Sequence, residues 1–432
     1  MPVTTARPTP AQLHYQRDHA FGIFFHFGIN TFAGKEWSDG TLDPAIFDPA
    51  ALDCRQWVET AKEAGAAHVI LTAKHHDGFC LWQTETTDYS VASSPWKDGK
   101  GDVVAELAEA CVALGVELGL YLSPWDRHEP SWATNHSTYD AFYLRQLEEL
   151  TTRYGPLCEL WFDGAGSEDH SYDWDAIMDV CDRDQPDAMI FNMGRPTIRW
   201  VGNEDGLASD PVWYTVEQTA TSIYTDAREG LAGGGSYLPP ECDVSIRRGW
   251  FWHPGEEDTL KSVGHLAAIW HRSIGLGANL LLNVPPDRRG LIDDADRDRL
   301  LQFTGWIDRL YDAPRIATLR RERGSYRAGW DQDLWINHLV IEEDLSEGQK
   351  IGSHRIVDAR SRQVLSEGHT VGVRRHHHFP RIRTSEVVIE TDREDDAIIQ
   401  VAGYTLELDE LPGLEEQPAF PSDRIDRADH VG

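Results

Sequence analysis

The sequence predicts an α/β protein built as a (β/α)8 TIM-like barrel followed by a small antiparallel β-sandwich. Three observations carry that expectation. Over residues 1–313, short runs that are apolar on both faces alternate with amphipathic stretches of helical period, as in parallel strands covered by helices. Repeated strand–helix units over roughly 250–310 residues suit a closed barrel better than an open sheet. After Pro314 the apolar period falls to two, and turns bearing Gly, Asp and Ser become frequent, which reads as short antiparallel strands.

Taken in order, the barrel-strand candidates are Phe21–Gly28, His68–Thr72, Glu117–Ser123, Leu157–Phe162, Met189–Met193, Cys242–Ile246 and Asn279–Val284. The first helix is read from Asp48-Pro49 as N-cap and first-turn proline, with Leu52, Trp57, Val58 and Ala61 on one face. Gly101–Gly115 carries Val104, Leu107, Cys111 and Leu114 at helical spacing, and Ser137–Tyr154 carries Phe142, Leu147 and Leu150. Helices are also expected over Thr259–Ile274 and Asp294–Leu310. Seven strands are legible, so one is unplaced or the barrel is irregular. The sandwich is expected over 314–411, through Trp335–Glu342, Lys350–Ile356, Arg362–Leu365 and Glu386–Ile389. Residues 412–432 form an acidic, proline-bearing tail, expected to be disordered.

The 72 acidic and 40 basic residues leave a net charge of −32, which argues against nucleic acid or an anionic membrane as partner. No stretch approaches 18 apolar residues, and no secretory signal is visible before Gln16. The six cysteines are scattered without CxxC pairs, which suits free thiols in a reducing compartment; the expected location is the cytoplasm.

Barrels of this class carry their chemistry just past the C-terminal ends of the strands. The polar residues there are His26 and Asn30, His75-His76-Asp77, then Tyr121, Trp125 and Asp126, then Trp161-Phe162-Asp163-Gly164, then Arg195, Arg199, Trp200 and Glu204. No phosphate-binding glycine loop accompanies them, which argues against a nucleotide cofactor. Aromatic faces cover the apolar side of a pyranose, His, Asn and Tyr read its hydroxyls, and paired carboxylates cleave its glycosidic bond. Asp163, between bulky aromatics and a glycine, is the candidate nucleophile; the structural alternative is that it caps the following loop. His376-His377-His378 has no spaced carboxylate or Cys partner and reads as a solvated loop or strand, so no metal site is assigned.

Several blocks then resemble the α-L-fucosidases of glycoside hydrolase family 29: His26-Phe27-Gly28-Ile29-Asn30-Thr31-Phe32, Glu36-Trp37, Lys74-His75-His76-Asp77-Gly78-Phe79, Tyr121-Leu122-Ser123-Pro124-Trp125 and Trp161-Phe162-Asp163-Gly164. Asp243–Arg247 through His253, and Asn283–Gly290, resemble later blocks of the same family, and Val340–Gln349 extends the likeness into the sandwich. The resemblance implies retaining hydrolysis of α-L-fucosides through a covalent intermediate, without metal or organic cofactor, on a fucosylated oligosaccharide. It maps the nucleophile to Asp163 and the fucose pocket to His26, Glu36, Trp37, His75, His76, Tyr121 and Trp161.

The acid/base position varies within that family. Glu204, in Val201-Gly202-Asn203-Glu204, resembles the site of the subgroup that cleaves α-1,3/1,4 linkages. Glu241 is the rival, otherwise expected as a pocket contact, and Glu36 is a third candidate. Two further readings stay open: a broad-specificity enzyme with Glu241 as acid/base, and a fucose-binding protein without turnover. The oligomeric state is not legible.

Overall fold

The computed structural model describes residues 6–167, 170–216, 235–394 and 397–417. Eight parallel strands form the first sheet: β1 (Phe21–Phe25), β2 (His68–Lys74), β3 (Glu117–Leu122), β4 (Glu159–Trp161), β5 (Met189–Phe191), β6 (Arg199–Trp200), β9 (Pro240–Ser245) and β10 (Asn279–Asn283). Their order is β5-β4-β3-β2-β1-β10-β9-β6, and a parallel bridge between Phe191 and Ile198 brings the two ends together. Between β6 and β9 lies a ribbon of β7 (Thr215–Val216) and β8 (Ser236–Tyr237).

The strand missing from the sequence reading is β6. It is two residues long and follows β5 after a tight loop in which Asn192 (φ 61°) and Gly194 (φ 68°) adopt left-handed conformations. A two-residue strand has no period to detect.

Helices α1 (Pro10–Asp18), α2 (Ile29–Ala33), α3 (Cys54–Glu63), α4 (Val103–Leu114), α5 (Ser131–Thr134), α6 (His136–Arg153), α7 (Trp174–Asp184), α8 (Val263–Arg272) and α9 (Asp294–Tyr311) complete this unit. The long ones start where a short polar side chain accepts from a first-turn N–H: Asp53, Asp102, Asn135, Asp173, Ser262 and Asp293. Asp53 corrects the expected start at Asp48-Pro49; residues 49–53 precede the helix as turn and coil, and Asp53 caps Gln56. Among the described residues no helix is long and apolar enough to cross a membrane. The six cysteines are unpaired.

Alternation along the strands divides two cores. Val69, Leu71, Leu118, Leu120, Leu160 and Ile190 face the helices, while Phe24, Ile70, Tyr121, Trp161, Phe191, Ile198 and Leu281 fill the barrel together with Tyr15 of α1.

Seven antiparallel strands follow: β11 (Arg315–Ile316), β12 (Thr318–Glu322), β13 (Ser325–Glu343), β14 (His354–Asp358), β15 (Val364–Gly368), β16 (Arg375–Thr391) and β17 (Ile398–Tyr404). The long strands β13 and β16 shift register between Gly329 and Leu334 and again between Ile336 and His338. Before the shifts β13 pairs with β12; after them it pairs with β17. Tyr326, Ala328, Val387 and Ile389 from one half share a core with Leu339, Ile341, Phe379 and Val401 from the other, so two long strands build both layers of the sandwich.

The three consecutive histidines lie at the start of β16, His377 buried and His376 and His378 half-buried, all three with partners. His376 meets His338 at 3.0 Å, His377 is buried 2.7 Å from His354, and His378 donates to the Asp409 carbonyl. The expected tail divides: Glu415 touches Ser262 and His265 of α8, and residues 418–432 lie outside the described residues.

Candidate active site

Strand ends β1 to β4 deliver His26, His75, His76, Tyr121 and Asp163 to one rim of the barrel. Asp163 is held by two donors and faced by an imidazole nitrogen. Its Oδ1 accepts the Ala165 N–H (2.9 Å), its Oδ2 accepts the Tyr121 hydroxyl (3.0 Å), and His76 Nε2 stands 3.5 Å from Oδ2. Tyr121 cannot swing away, because its ring stacks between His75 (5.6 Å, 10°) and Trp161 (5.3 Å, 25°). A glycine stands at Gly166 (φ 71°), three residues after Asp163, because a Cβ there would lie 2.2 Å from the Trp125 ring.

Hydrogen-bond bookkeeping fixes two imidazoles. Asn283 donates from Nδ2 to the Trp250 carbonyl (2.8 Å), and its Oδ1 accepts the His26 backbone N–H (3.1 Å). A carbonyl cannot donate and an amide N–H cannot accept, so the orientation of this side chain is settled. His26 Nδ1–H therefore donates to Asn283 Oδ1 (2.9 Å), and Nε2 keeps the lone pair. Burial lowers the His26 pKa to about 3, which keeps the ring neutral. Ser123 spends its one proton on the Trp125 carbonyl (2.7 Å), so His76 Nδ1–H donates to Ser123 Oγ (2.8 Å). His76 is likewise neutral, its pKa lowered to about 4 by burial against the opposing pull of Asp163. Its Nε2 is thus a second acceptor facing the Asp163 carboxylate.

Glu36 is buried and accepts from the backbone N–H groups of Trp250 (2.8 Å) and Phe251 (3.3 Å) and from His253 (2.5 Å). It ties down the segment that carries Trp250, and Gly249 is required beside it because a Cβ would lie 2.4 Å from Glu36 Oε1. The Trp250 ring lies against His26 (4.9 Å), and its Nε1–H donates to Glu204 Oε2 (3.4 Å). Trp37 stands edge-on to His76 (5.3 Å) and Trp125 (5.6 Å).

Glu204 opens to solvent at the mouth of the site yet is walled by protein on its other sides. That enclosure, and next the charge of Asp163, push its carboxyl up to about 7. The pocket therefore holds two carboxyls in unlike settings: Asp163 amid donors, and Glu204 with a weak partner and a repelling neighbour.

Two expected pocket residues lie lower. Trp161 faces into the barrel, stacked on Phe191 (3.9 Å), and its Nε1–H points down to Glu241 Oε1 (3.2 Å). Glu241 sits near the start of β9, where Tyr15 closes the opposite, N-terminal end of the barrel. The Tyr15 hydroxyl is 2.5 Å from Glu241 and 2.6 Å from Glu159. With one proton it donates to one carboxylate and accepts from the other, protonated one. Burial pushes Glu241 up to about 7 and raises Glu159 also. The structure therefore does not bring Glu241 to the rim with Asp163.

Two residues of the site escaped the sequence reading as individual contributors. Asn283 ends the last barrel strand, Asn-Leu-Leu-Leu-Asn, so the strand-end rule could have found it. Asp243 is buried beneath Glu204 and accepts from Trp200 Nε1 (2.5 Å); burial and the Glu204 charge raise its pKa. Only the two-residue period from Glu241 marks it as inward-facing.

A profile of the α-L-fucosidase family matches residues 35–310. The chain belongs to the α-L-fucosidase family. It is 38% identical over 445 residues to "Alpha-L-fucosidase 1" of Arabidopsis thaliana, covering 92% of this chain and 87% of that one. "Plasma alpha-L-fucosidase" of Homo sapiens is 26% identical, covering 70% of this chain and 68% of its own. Among solved structures, SpGH29 superposes with a TM-score of 0.87 at 32% identity, over 93% of this chain and 99% of that chain. A GH29 fucosidase from Ruminococcus gnavus, in complex with fucose, does so with 0.80 at 28% identity, over 94% and 96%. This α-L-fucosidase is a glycoside hydrolase on a barrel-plus-sandwich fold shared with those relatives.

Proposed function

We propose that the protein is a retaining exo-α-L-fucosidase that releases L-fucose from α-1,3/1,4-fucosylated oligosaccharides, with Asp163 as nucleophile and Glu204 as acid/base. The observation that carries this reading is the division of the two carboxyls: one held by two donors, the other raised to about 7 at the solvent side of the same pocket. The structural neighbour with fucose bound supports fucose as the sugar in the pocket. The linkage rests on the resemblance of the Val201–Glu204 segment to the linkage-restricted subgroup.

Asp163 attacks C1 while Glu204 gives its proton to the departing oxygen; the C1–O bond to the leaving sugar breaks as the C1–Asp163 bond forms. Glu204, now a carboxylate, takes a proton from water, the resulting hydroxide oxygen bonds C1, and Asp163 departs. The lone pairs of His26 Nε2 and His76 Nε2 accept sugar hydroxyls. A hydroxyl entering between His76 and Asp163 supplies the proton that these two facing acceptors lack.

The test is fucose released from a Lewis-type branched trisaccharide and from 4-nitrophenyl α-L-fucoside by wild type, Asp163→Asn, Glu204→Gln and Glu241→Gln. Expected are turnover of the trisaccharide, losses of about 10³-fold or more in Asp163→Asn and about 10²-fold or more in Glu204→Gln, and activity kept in Glu241→Gln. Proton NMR of the first-formed fucose should show the α-anomer. An inactive Glu241→Gln that remains folded beside an intact Glu204→Gln would overturn the assignment, and a β-anomer would overturn retention.

A further inference from the structure

We infer that the N-terminal face of the barrel carries a divalent transition-metal site, of the kind that takes Zn2+, formed by His14 and His19 at α1 and Glu117 at the start of β3. One ligand atom from each residue lies within 4.8 Å of the other two. His19 Nε2 is 3.2 Å from Glu117 Oε2, close to the ~3.3 Å separation of two ligands on one tetrahedral zinc at 2.0 Å each.

The histidines are prepared as ligands. His14 gives its Nδ1–H to Asp18 Oδ2 (2.6 Å), which leaves the Nε2 lone pair free and adds the carboxylate support that metal-bound imidazoles characteristically have. His19 is buried to 4% exposure, its ring stacked on Tyr15 (5.7 Å, 7°) and packed on His68 (5.4 Å), so it loses little freedom on binding.

There is also a way in. A cleft of about 640 Å³ is lined by His14, His19 and Glu117 together with Tyr15 and Cys158. Three protein ligands leave the fourth position of a tetrahedral ion to water from that cleft. A net charge of −32 draws cations, and two imidazoles select Zn2+, Ni2+ or Cu2+ over Mg2+ and Ca2+. Glu117 starts the strand whose other end delivers Tyr121 to Asp163, so the site acts on the structure by pinning α1 to β3 and takes no part in hydrolysis.

Calorimetric titration of the full chain with ZnCl2 in a non-coordinating buffer at pH 7.5 tests this. Expected is one equivalent bound with Kd of about 10 µM or tighter, a melting temperature raised by a few degrees at about 100-fold excess over Kd, and unchanged hydrolysis of the aryl fucoside. His14→Ala and Glu117→Gln should each weaken binding at least about tenfold and remove the thermal shift, while keeping their fucosidase activity. Absence of binding at about 100 µM Zn2+, full binding in both variants, or equal affinity for Ca2+ would each overturn the proposal.

Discussion

At the scale of single residues, the pocket works because backbone groups decide side-chain protons. Asn283 reads one carbonyl and one N–H and passes the result to His26 as a tautomer. Asn283→Asp keeps the size but replaces the donor with an acceptor, so it faces the Trp250 carbonyl with a repelling oxygen and frees that segment. A rise of about tenfold or more in KM for the aryl fucoside, with a smaller change in kcat, is the expected outcome, equivalent to about 1.4 kcal/mol of lost binding. Glu204 gives a pH dependence whose sign follows from its role. An acid must be protonated to act, so kcat for the trisaccharide should fall as pH rises through about 7, the value to which enclosure and Asp163 push this carboxyl. The aryl fucoside, whose leaving group departs without a proton, should be far less sensitive. A trisaccharide profile flat from pH 6 to 8 would remove Glu204 from that role.

At the scale of elements, β2 shows why part of the site is legible and part is not. Its end carries Lys74-His75-His76-Asp77 in four successive positions that serve opposite surroundings. Lys74 is fully buried on the helix side, bonded to Asp126 (2.9 Å) and Gln146 (2.9 Å), and Asp77 is bonded by Asn30 (3.0 Å) and the Phe79 N–H (2.8 Å). His75 and His76 thereby enter the pocket. A cluster so tightly constrained stands out in the sequence, as does Asp163 at the end of an apolar run. Strand β6, two residues long, leaves no pattern, and the place of Glu241 at the far end of β9 from Asp163 is not legible because sequence shows that a residue faces inward but not at which end of the strand. The metal ligands His14, His19 and Glu117 were illegible for another reason: they become neighbours only when α1 folds across the start of β3. Lys74→Met should lower stability by about 3–5 kcal/mol, the usual effect of leaving a buried charge such as Asp126 unpaired. Urea unfolding would measure it, and adding Asp126→Asn should recover part of the loss; no recovery would mean that packing against Tyr143, not charge, is what Lys74 supplies.

At the scale of the whole molecule, two sets of buried titratable groups act against each other. Among the described residues, deep burial depresses the pKa of His26, His68, His75, His76, His271, His338, His354, His376 and His377. Deep burial equally raises those of Asp77, Glu159, Glu204, Glu241, Asp243, Asp296 and Glu343. Between pH 5 and 6 the unfolded histidines are protonated and the folded ones are not, so each histidine costs stability as pH falls. In the same window the folded carboxyls hold protons that the unfolded ones have lost, so each carboxyl adds stability as pH falls. Unopposed, every such group would contribute about 1.4 kcal/mol per pH unit; nine against seven leaves a net uptake of about two protons on unfolding. Stability should therefore decline by only about 3 kcal/mol per unit from pH 6 to 5, measured from urea midpoints. The cancellation has a direct signature. Glu343, raised to about 7 where β13 packs beneath Gly372, is one of the opposing carboxyls. Glu343→Gln removes its proton from the balance and should steepen the acid slope toward three protons, whereas His354→Gln should flatten it toward one. Parallel slopes in both variants would show that these buried groups do not set the acid stability of the fold.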